Sequence, residues 1–213
     1  MPRGWAIPLK PQYLVATLAL WTGAFMLLFG NYGLSAWTPN VMVEETGGFQ
    51  EGFSFGAALH SVPFLGGIAC GWLADRWLGK RTALALWAGL GALTTLSIAF
   101  STNALFNFFA VAAAGFFIIG SQFMINNICA MTYPVQARST GVGLMLGVGR
   151  LGAILGPYLG GALIGAFGNH LVFIAVAVAA ACVMLAAYFV IPKPTGVPQP
   201  TTTTEEEVPV SGP

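Results

Sequence analysis

Residues 171–191 read LVFIAVAVAAACVMLAAYFVI, an uninterrupted apolar run without a charged side chain. An α-helix rises 1.5 Å per residue, so about 20 such residues cross the roughly 30 Å hydrocarbon core of a bilayer. A helix at the surface of a soluble domain would instead show a polar face to water. This run therefore predicts a helix that spans a membrane.

Five further apolar runs precede this one along the chain. Because they are continuous rather than alternating, they favour helices over the strands of a membrane barrel. We therefore expect an all-α integral membrane domain over residues 13–191, after a cytoplasmic segment at 1–12. The six predicted spans cover residues 13–42, 53–73, 82–101, 105–133, 141–167 and 171–191.

The composition of the 213 residues agrees with a lipid environment, since 56% are hydrophobic and only 7% are charged. Soluble domains carry about a quarter charged residues. The net charge of +1 offers no basic field for nucleic acid. Cys70, Cys129 and Cys182 each lie in an apolar run, which argues against disulfides and metal-ligand spacing. With no nucleophile–base set in view, we expect neither an enzyme nor a cofactor.

The charges of the predicted loops indicate how the chain is oriented. If six helices alternate in direction, every loop or terminal Lys and Arg falls on one side, and the opposite loops hold only acids. Basic residues concentrate in cytoplasmic loops, so we predict that both termini are cytoplasmic, in the inner (plasma) membrane. Residues 192–213, rich in Pro, Thr and Glu, are predicted to be a disordered cytoplasmic tail. The basic residues concerned are Arg3, Lys10, Arg76, Lys80, Arg81, Arg138 and Lys193, and the acids are Glu44, Glu45 and Glu51.

Arg150 is the one charged side chain expected deep inside a span. It lies about ten residues, or roughly 15 Å, into the span 141–167, where insertion of an Arg costs about 2.5–3.5 kcal/mol. No Asp or Glu falls within the six predicted spans to pair with it. It could snorkel or bond backbone carbonyls. Alternatively, it faces a polar cavity and binds a carboxylate through two parallel hydrogen bonds.

Small residues mark one face of the same span. Gly152, Gly156 and Gly160 are spaced by four, the small-xxx-small pattern that lets helices approach closely. We predict that they serve helix packing, and a glycine-lined hinge is an alternative that is compatible with it.

Uncharged polar residues lie in two other spans. Gln122 and Asn126 share a face of span four, and Asn31 and Tyr32 lie in span one. Such amides either bond neighbouring helices or line a hydrated route to a substrate, and both interpretations stay open. Spans one and four are thus the polar first members of two triplets. This pattern predicts a 3+3 inverted repeat whose first helices line a central site.

The loop after span two, residues 71–81, reads GWLADRWLGKR. It resembles the G-x-x-x-D-R-x-G-R-R/K loop motif of the major facilitator superfamily, with one extra residue, Leu78, before the glycine. The physical logic of such a loop is a charge latch, in which a carboxylate caps a helix start and cations bind helix ends. Plain retention of basic residues on the cytoplasmic side is the alternative. The resemblance implies a gating role for Asp75, Arg76 and Arg81.

Residues 133–143, YPVQARSTGVG, and 147–157, GVGRLGAILGP, carry a more specific resemblance. They are similar to the region between the tenth and eleventh helices of the aromatic acid/proton symporter family of that superfamily. Sugar porters share part of this pattern but usually have an acid where this chain has Met131. The resemblance implies that Arg150 serves the substrate or coupling site and that Arg138 belongs to the cytoplasmic gate.

Members of the family have twelve helices, so the resemblance covers half of such a transporter, helices seven to twelve. It implies a proton-coupled symporter for aromatic or other organic carboxylates whose activity needs a missing N-terminal six-helix half. The expected partners are the lipid bilayer, the organic acid and protons. The alternatives are a self-associating six-helix carrier or channel, with the glycine face as the contact between copies, and a truncated product that does not transport.

Overall fold

The structure is a computed structural model that describes residues 7–46 and 48–189. These residues are almost entirely helical. π-helical segments, Ala74–Leu78 and Gly115–Ile119, interrupt the α-helices, and Val135–Ala137 forms a short 3-10 turn. The α-helices are α1 Pro11–Thr46, α2 Phe49–Ser61, α3 Pro63–Leu73, α4 Lys80–Phe100, α5 Ala104–Ala114, α6 Gly120–Thr132, α7 Arg138–Phe167 and α8 His170–Phe189.

Within the described residues, six helical stretches are long and apolar enough to cross a membrane. The prediction of a six-span, all-α membrane domain is therefore confirmed. The predicted tail at 192–213, with Lys193, and the N-terminal Arg3 lie outside the described residues. The spans, numbered one to six in chain order, are Pro11–Glu44, Gly52–Leu78, Lys80–Phe100, Ala104–Thr132, Val135–Phe167 and His170–Phe189.

The apolar run of span two predicted one continuous α-helix. The structure instead shows two helices, α2 and α3. Helix α2 ends at Ser61 and α3 begins at Pro63, with Val62 between them at φ −110° and ψ −3°. Proline has no N–H to continue the helical ladder, and its ring disfavours the helical conformation at the preceding residue. The break therefore has a local cause in the sequence.

The extra residue in the loop after span two is accommodated by a π turn. The Gly79 N–H donates to the Ala74 carbonyl at 2.9 Å, an i to i+5 bond that encloses one residue more than an α-helical turn. Gly79 then adopts φ +73°, a conformation open to glycine at little cost, and α4 begins at Lys80.

The acidic residues lie closer to the spans than the sequence predicted. Helix α1 continues to Thr46, so Glu44 and Glu45 belong to its last turn, and Glu51 belongs to the first turn of α2. The expectation that no acid falls within a span is wrong at Glu44 and at Asp75, because spans one and two run beyond their predicted ends. Helix α7, which carries the central arginine, contains no Asp or Glu.

The helices pack in a pattern that follows the two triplets. Span one packs on spans five, six and two, and span four packs correspondingly on spans two, three and five, while spans three and six pack on each other. Exchanging spans one to three with spans four to six leaves this set of contacts unchanged. An inverted 3+3 repeat has this property.

Glycines bring the backbones together where spans one and five cross. Gly152 and Gly156 lie so close to the carbonyls of Phe25 and Phe29 that a Cβ at either position would overlap them. One helical turn further, Gly160 contacts the Trp37 ring. The corresponding crossing of spans two and four uses the same device, since Gly66 lies against the Phe116 carbonyl and Gly115 against the Leu59 carbonyl.

Candidate functional site

Arg150 lies in the middle of α7, twelve residues after Arg138, which is about 18 Å along the helix axis. Its side chain is exposed on the surface of the bundle. One guanidinium nitrogen, Nη1, donates to the Tyr32 hydroxyl of α1 at 3.2 Å. The structure therefore brings together two of the predicted site residues from different helices. Tyr32 is itself 38% exposed, so the pair is open to a molecule that approaches this face.

The surface of α7 near this pair carries two glycines with open space around them. Among the described residues, and apart from the backbone of α7 itself, no atom lies within 4 Å of the place that a Cβ would occupy at Gly143 or Gly147. Long side chains on a helix lean toward its N-terminus, so the guanidinium stem extends along the turn that holds Gly147. No described side chain fills the space at Gly147, so the charged group keeps room for a ligand on one side.

The polar residues of span four form a second pair. The Gln122 Nε2 donates to the Asn126 Oδ1 at 3.2 Å, as their four-residue spacing allows. Gln122 is buried, and its Oε1 has no hydrogen-bond partner within the described residues. A buried amide oxygen without a partner costs free energy, which leaves this position ready to accept a hydrogen bond.

Asn31, the remaining predicted residue of the site, forms a hydrogen bond within its own helix. Asn31 is half-buried, and its carbonyl accepts the Ser35 hydroxyl at 2.7 Å. In the part of the chain that the structure describes, no hydrogen bond joins the Arg150–Tyr32 pair to the Gln122–Asn126 pair. The structure thus shows two separate polar pairs, one that joins α1 to α7 and one within α6.

The predicted charge latch takes a form that the sequence did not indicate. Asp75 does not cap the start of α4, whose N-terminus has no side-chain cap. Its Oδ1 instead lies 3.9 Å from the Lys80 Nζ, which also donates to the Asn127 Oδ1 at 3.0 Å. Asp75 lies within the π turn, and Lys80 follows that turn after Gly79.

The other predicted gating residues lie at the same end of the bundle. The Arg81 Nε donates to the Ala187 carbonyl at 2.8 Å, in the last turn of α8, where a cation is favoured by the helix dipole. Arg76 is exposed. Arg138 begins α7, and its buried Nε has no hydrogen-bond partner within the described residues.

A contact at the opposite end was missed by sequence reasoning. The Asn169 Nδ2, between spans five and six, donates to the Glu44 Oε2 at the end of span one, at 2.8 Å. This contact forms because α1 is longer than predicted and carries Glu44 in its last turn. In the sequence, the acidic residues of this loop were the one sign of a polar contact there.

Comparisons with known proteins agree with this architecture. The chain is 35% identical over 155 residues to a benzoate transport protein of Acinetobacter baylyi, which covers 73% of this chain and 33% of that protein. It is 36% identical over 160 residues to a gallate transporter of Pseudomonas putida, covering 72% of this chain and 34% of the relative. A 4-hydroxybenzoate transporter of Pseudomonas aeruginosa is 32% identical over 171 residues, covering 75% of this chain and 36% of the transporter. The chain thus spans about a third of the length of these relatives.

A solved structure supports the fold. The crystal structure of a POT family transporter in complex with thioalcohol conjugated peptide matches with a TM-score of 0.71 and 24% identity, over 84% of this chain and 38% of that one. These relatives are transporters rather than enzymes, as the sequence led us to expect. The sequence profile of the Major Facilitator Superfamily matches residues 20–212. The chain is therefore a multi-pass membrane protein that belongs to the major facilitator superfamily and is most similar, among the relatives named here, to transporters of aromatic acids.

Proposed function

We propose that this chain forms one six-helix half of a proton-coupled transporter for aromatic or other organic carboxylates. The observation that carries the proposal is the hydrogen bond between Arg150 and Tyr32 at mid-span. It lies on an exposed face where Gly143 and Gly147 leave open space. The aromatic acids named for the relatives each combine a ring with a carboxylate, and the pair offers a cation and an aromatic side chain side by side.

In this proposal, Arg150 binds the substrate carboxylate. A guanidinium presents donors in a planar fork that matches a carboxylate, and one donor on Tyr32 leaves others available. Tyr32 orients the guanidinium and contacts the ring of the substrate. Gln122, Asn126 and Asn31 supply further hydrogen bonds from spans four and one, with the orphaned Gln122 oxygen as an acceptor.

Transport in this proposal requires a second six-helix unit, on the same polypeptide or on another. Alternating access arises when one bundle rocks against another around a shared site. Proton coupling also needs a group that titrates at mid-depth, and α7 provides no carboxylate beside Arg150. We assign that carboxylate to the second unit.

The ends of the bundle serve as gates in this proposal. Asp75, Arg76, Arg81 and Arg138 form the cytoplasmic gate, and the Glu44–Asn169 bond holds span one to the loop between spans five and six at the opposite end. Both termini are then cytoplasmic, as the distribution of basic residues indicates, and the membrane is assigned as the inner (plasma) membrane.

Uptake of radiolabelled 4-hydroxybenzoate tests the proposal. Cells express the chain alone, the N-terminal six helices of the benzoate transport relative alone, or both together, and membrane insertion is checked for each. We expect uptake in the pair only, and a protonophore should abolish it. Full uptake by the chain alone would refute the need for a second unit. Uptake that ignores the protonophore would refute proton coupling, and no uptake by two inserted halves would count against the assignment itself.

The alternative of a self-associating carrier loses its expected contact surface. Gly152, Gly156 and Gly160 are buried against α1 of the same chain, so they are not available to a second copy. Crosslinking in native membranes would still detect such an assembly.

A further inference from the structure

Cavities connect along the outer surface of α4 and α8. The first, of about 900 Å³, opens at the end of the bundle that carries Lys80 and Arg81. The next, of about 330 Å³, shares Thr82, Tyr188 and Phe189 with it. A third, of about 490 Å³, continues from the second through Ala85, Leu86 and Met184. Their shared lining residues make them one groove.

The two ends of this groove differ in chemistry. Its mouth is lined by Lys80, Arg81 and Asp75, so two positive charges face one negative charge, and the exposed Arg76 adds another cation beside it. Beyond Thr82 the lining consists of apolar side chains and glycine, such as Leu93, Ala181 and Met184. The groove is therefore amphipathic, with a cationic mouth and an apolar channel.

The dimensions of the groove suit a lipid chain. Thr82 and Leu96, at its two ends on α4, are fourteen residues apart, or about 21 Å along the helix. One leaflet of the hydrocarbon core is about 15 Å thick. The apolar part of the groove can therefore follow an acyl chain through a whole leaflet.

Tryptophans place the mouth at the depth of the lipid headgroups. Trp72 and Trp77 are 58% and 74% exposed, and their ring centroids lie 6.2 Å apart. Exposed tryptophans of membrane proteins concentrate at the interface between headgroups and hydrocarbon. Both flank the loop that supplies Asp75 and Arg76, so the cations of the mouth lie at the same level.

We propose that this groove binds an anionic glycerophospholipid, with its phosphate at Lys80 and Arg81 and one acyl chain between α4 and α8. A neutral lipid would leave the excess positive charge uncompensated, and a free phosphate would leave the apolar channel empty. This groove shares none of its lining residues with the proposed substrate site, so the lipid proposal holds whether or not the chain transports aromatic acids.

Native mass spectrometry of the full 213-residue chain in detergent tests this site. Phosphatidylglycerol, phosphatidylcholine with the same acyl chains, and glycerol 1-phosphate are titrated separately. We expect phosphatidylglycerol to bind several-fold more tightly than phosphatidylcholine, and glycerol 1-phosphate not to displace it. Lys80→Gln should weaken phosphatidylglycerol binding about fivefold, the usual contribution of one basic residue at an anionic surface. Lys10→Gln, which removes an exposed cation outside the groove, is the matched control and should change nothing.

A second variant keeps the test independent of the bonds that Lys80 makes. Ala92→Phe together with Ala181→Phe fills the apolar channel from its lipid-facing side and should weaken both phospholipids, with the helical circular dichroism unchanged. Equal binding of the two phospholipids, equal losses in the Lys80 and Lys10 variants, or undiminished binding to the filled groove would overturn the proposal. Displacement by glycerol 1-phosphate would assign the mouth to soluble phosphates and overturn the lipid assignment.

Discussion

Arg150 makes a contact that does not neutralise its charge. A tyrosine hydroxyl accepts one hydrogen bond but carries no negative charge, and an arginine at the centre of a span costs about 2.5–3.5 kcal/mol to insert. An anion that arrives at the open face would supply both the missing charge and the remaining acceptors. The residue is therefore placed for binding rather than for holding α1 to α7, a task that the glycines beside it already perform.

Substitutions at this pair should affect affinity without affecting insertion. Arg150→Lys keeps the charge but loses the planar fork, and the loss of one charge-assisted hydrogen bond predicts a rise in KM of roughly tenfold or more. Tyr32→Phe removes only the hydroxyl that fixes the guanidinium, so we expect a smaller rise, of up to about tenfold. Uptake of 4-hydroxybenzoate by the paired halves measures both.

Tyr158→Phe is the matched control for the second variant, because Tyr158 is an exposed tyrosine of α7 for which the structure shows no hydrogen bond to Arg150. It should leave KM unchanged. An unchanged KM in Arg150→Lys would mean that Arg150 has a structural role and does not bind substrate. Equal changes of KM in Tyr32→Phe and Tyr158→Phe would mean that Tyr32 does not belong to the substrate site.

At the scale of elements, the crossing of α1 and α7 depends on backbone contact rather than on side-chain interlocking. Helices in lipid gain little from the hydrophobic effect, so close packing at small residues supplies much of their association. Gly152, Gly156 and Gly160, spaced by four, contact Phe25, Phe29 and Trp37 on α1, which are four and eight residues apart. The two helices are thus complementary over three turns.

A methyl group at this crossing should destabilise the bundle. At Gly156 the added Cβ would overlap the Phe29 carbonyl, and backbone cannot move aside as a side chain can, so Gly156→Ala should cost about 1–3 kcal/mol. Gly165→Ala, on the same helix with open space around it, should be neutral or stabilising by up to about 1 kcal/mol. Thermal unfolding of the purified chain in detergent compares them, and similar melting temperatures for the two variants would contradict a backbone contact.

The sequence could predict which segments are helices but not how they are interrupted. Length and apolar character determine the spans, and the spacing of Gly152, Gly156 and Gly160 identifies a packing face. It does not identify the partner helix, because small residues accept several neighbours. The π turn at Ala74–Leu78 contains the inserted residue, and the 3.9 Å approach of Asp75 to Lys80 has no counterpart in the sequence pattern. The contact of Arg150 with Tyr32 needed the crossing of α1 and α7, which only the structure supplies.

At the scale of the whole molecule, the ends of the bundle differ in charge. Contacts at one end join the start of span one to the end of span four, where the Thr17 and Tyr133 hydroxyls lie 2.8 Å apart, and the start of span three to the end of span six, through Arg81 and Ala187. The described loop cations gather at this end, and Glu44 lies at the other. The fold therefore separates the loop cations from Glu44. Which of the two ends faces the cytoplasm is a separate prediction.

Accessibility of single cysteines tests that direction. In a background where Cys70, Cys129 and Cys182 are replaced by alanine, Trp77→Cys places a thiol at the cationic end, on an exposed position, and Thr102→Cys places one at the opposite end, in the exposed turn between spans three and four. Because basic loops are retained in the cytoplasm, a membrane-impermeant maleimide should label the Thr102 variant in intact cells. The Trp77 variant should react only after permeabilisation. The reverse pattern would place the cationic end outside and overturn the cytoplasmic assignment of both the gate and the lipid groove mouth, while the helix packing would stand.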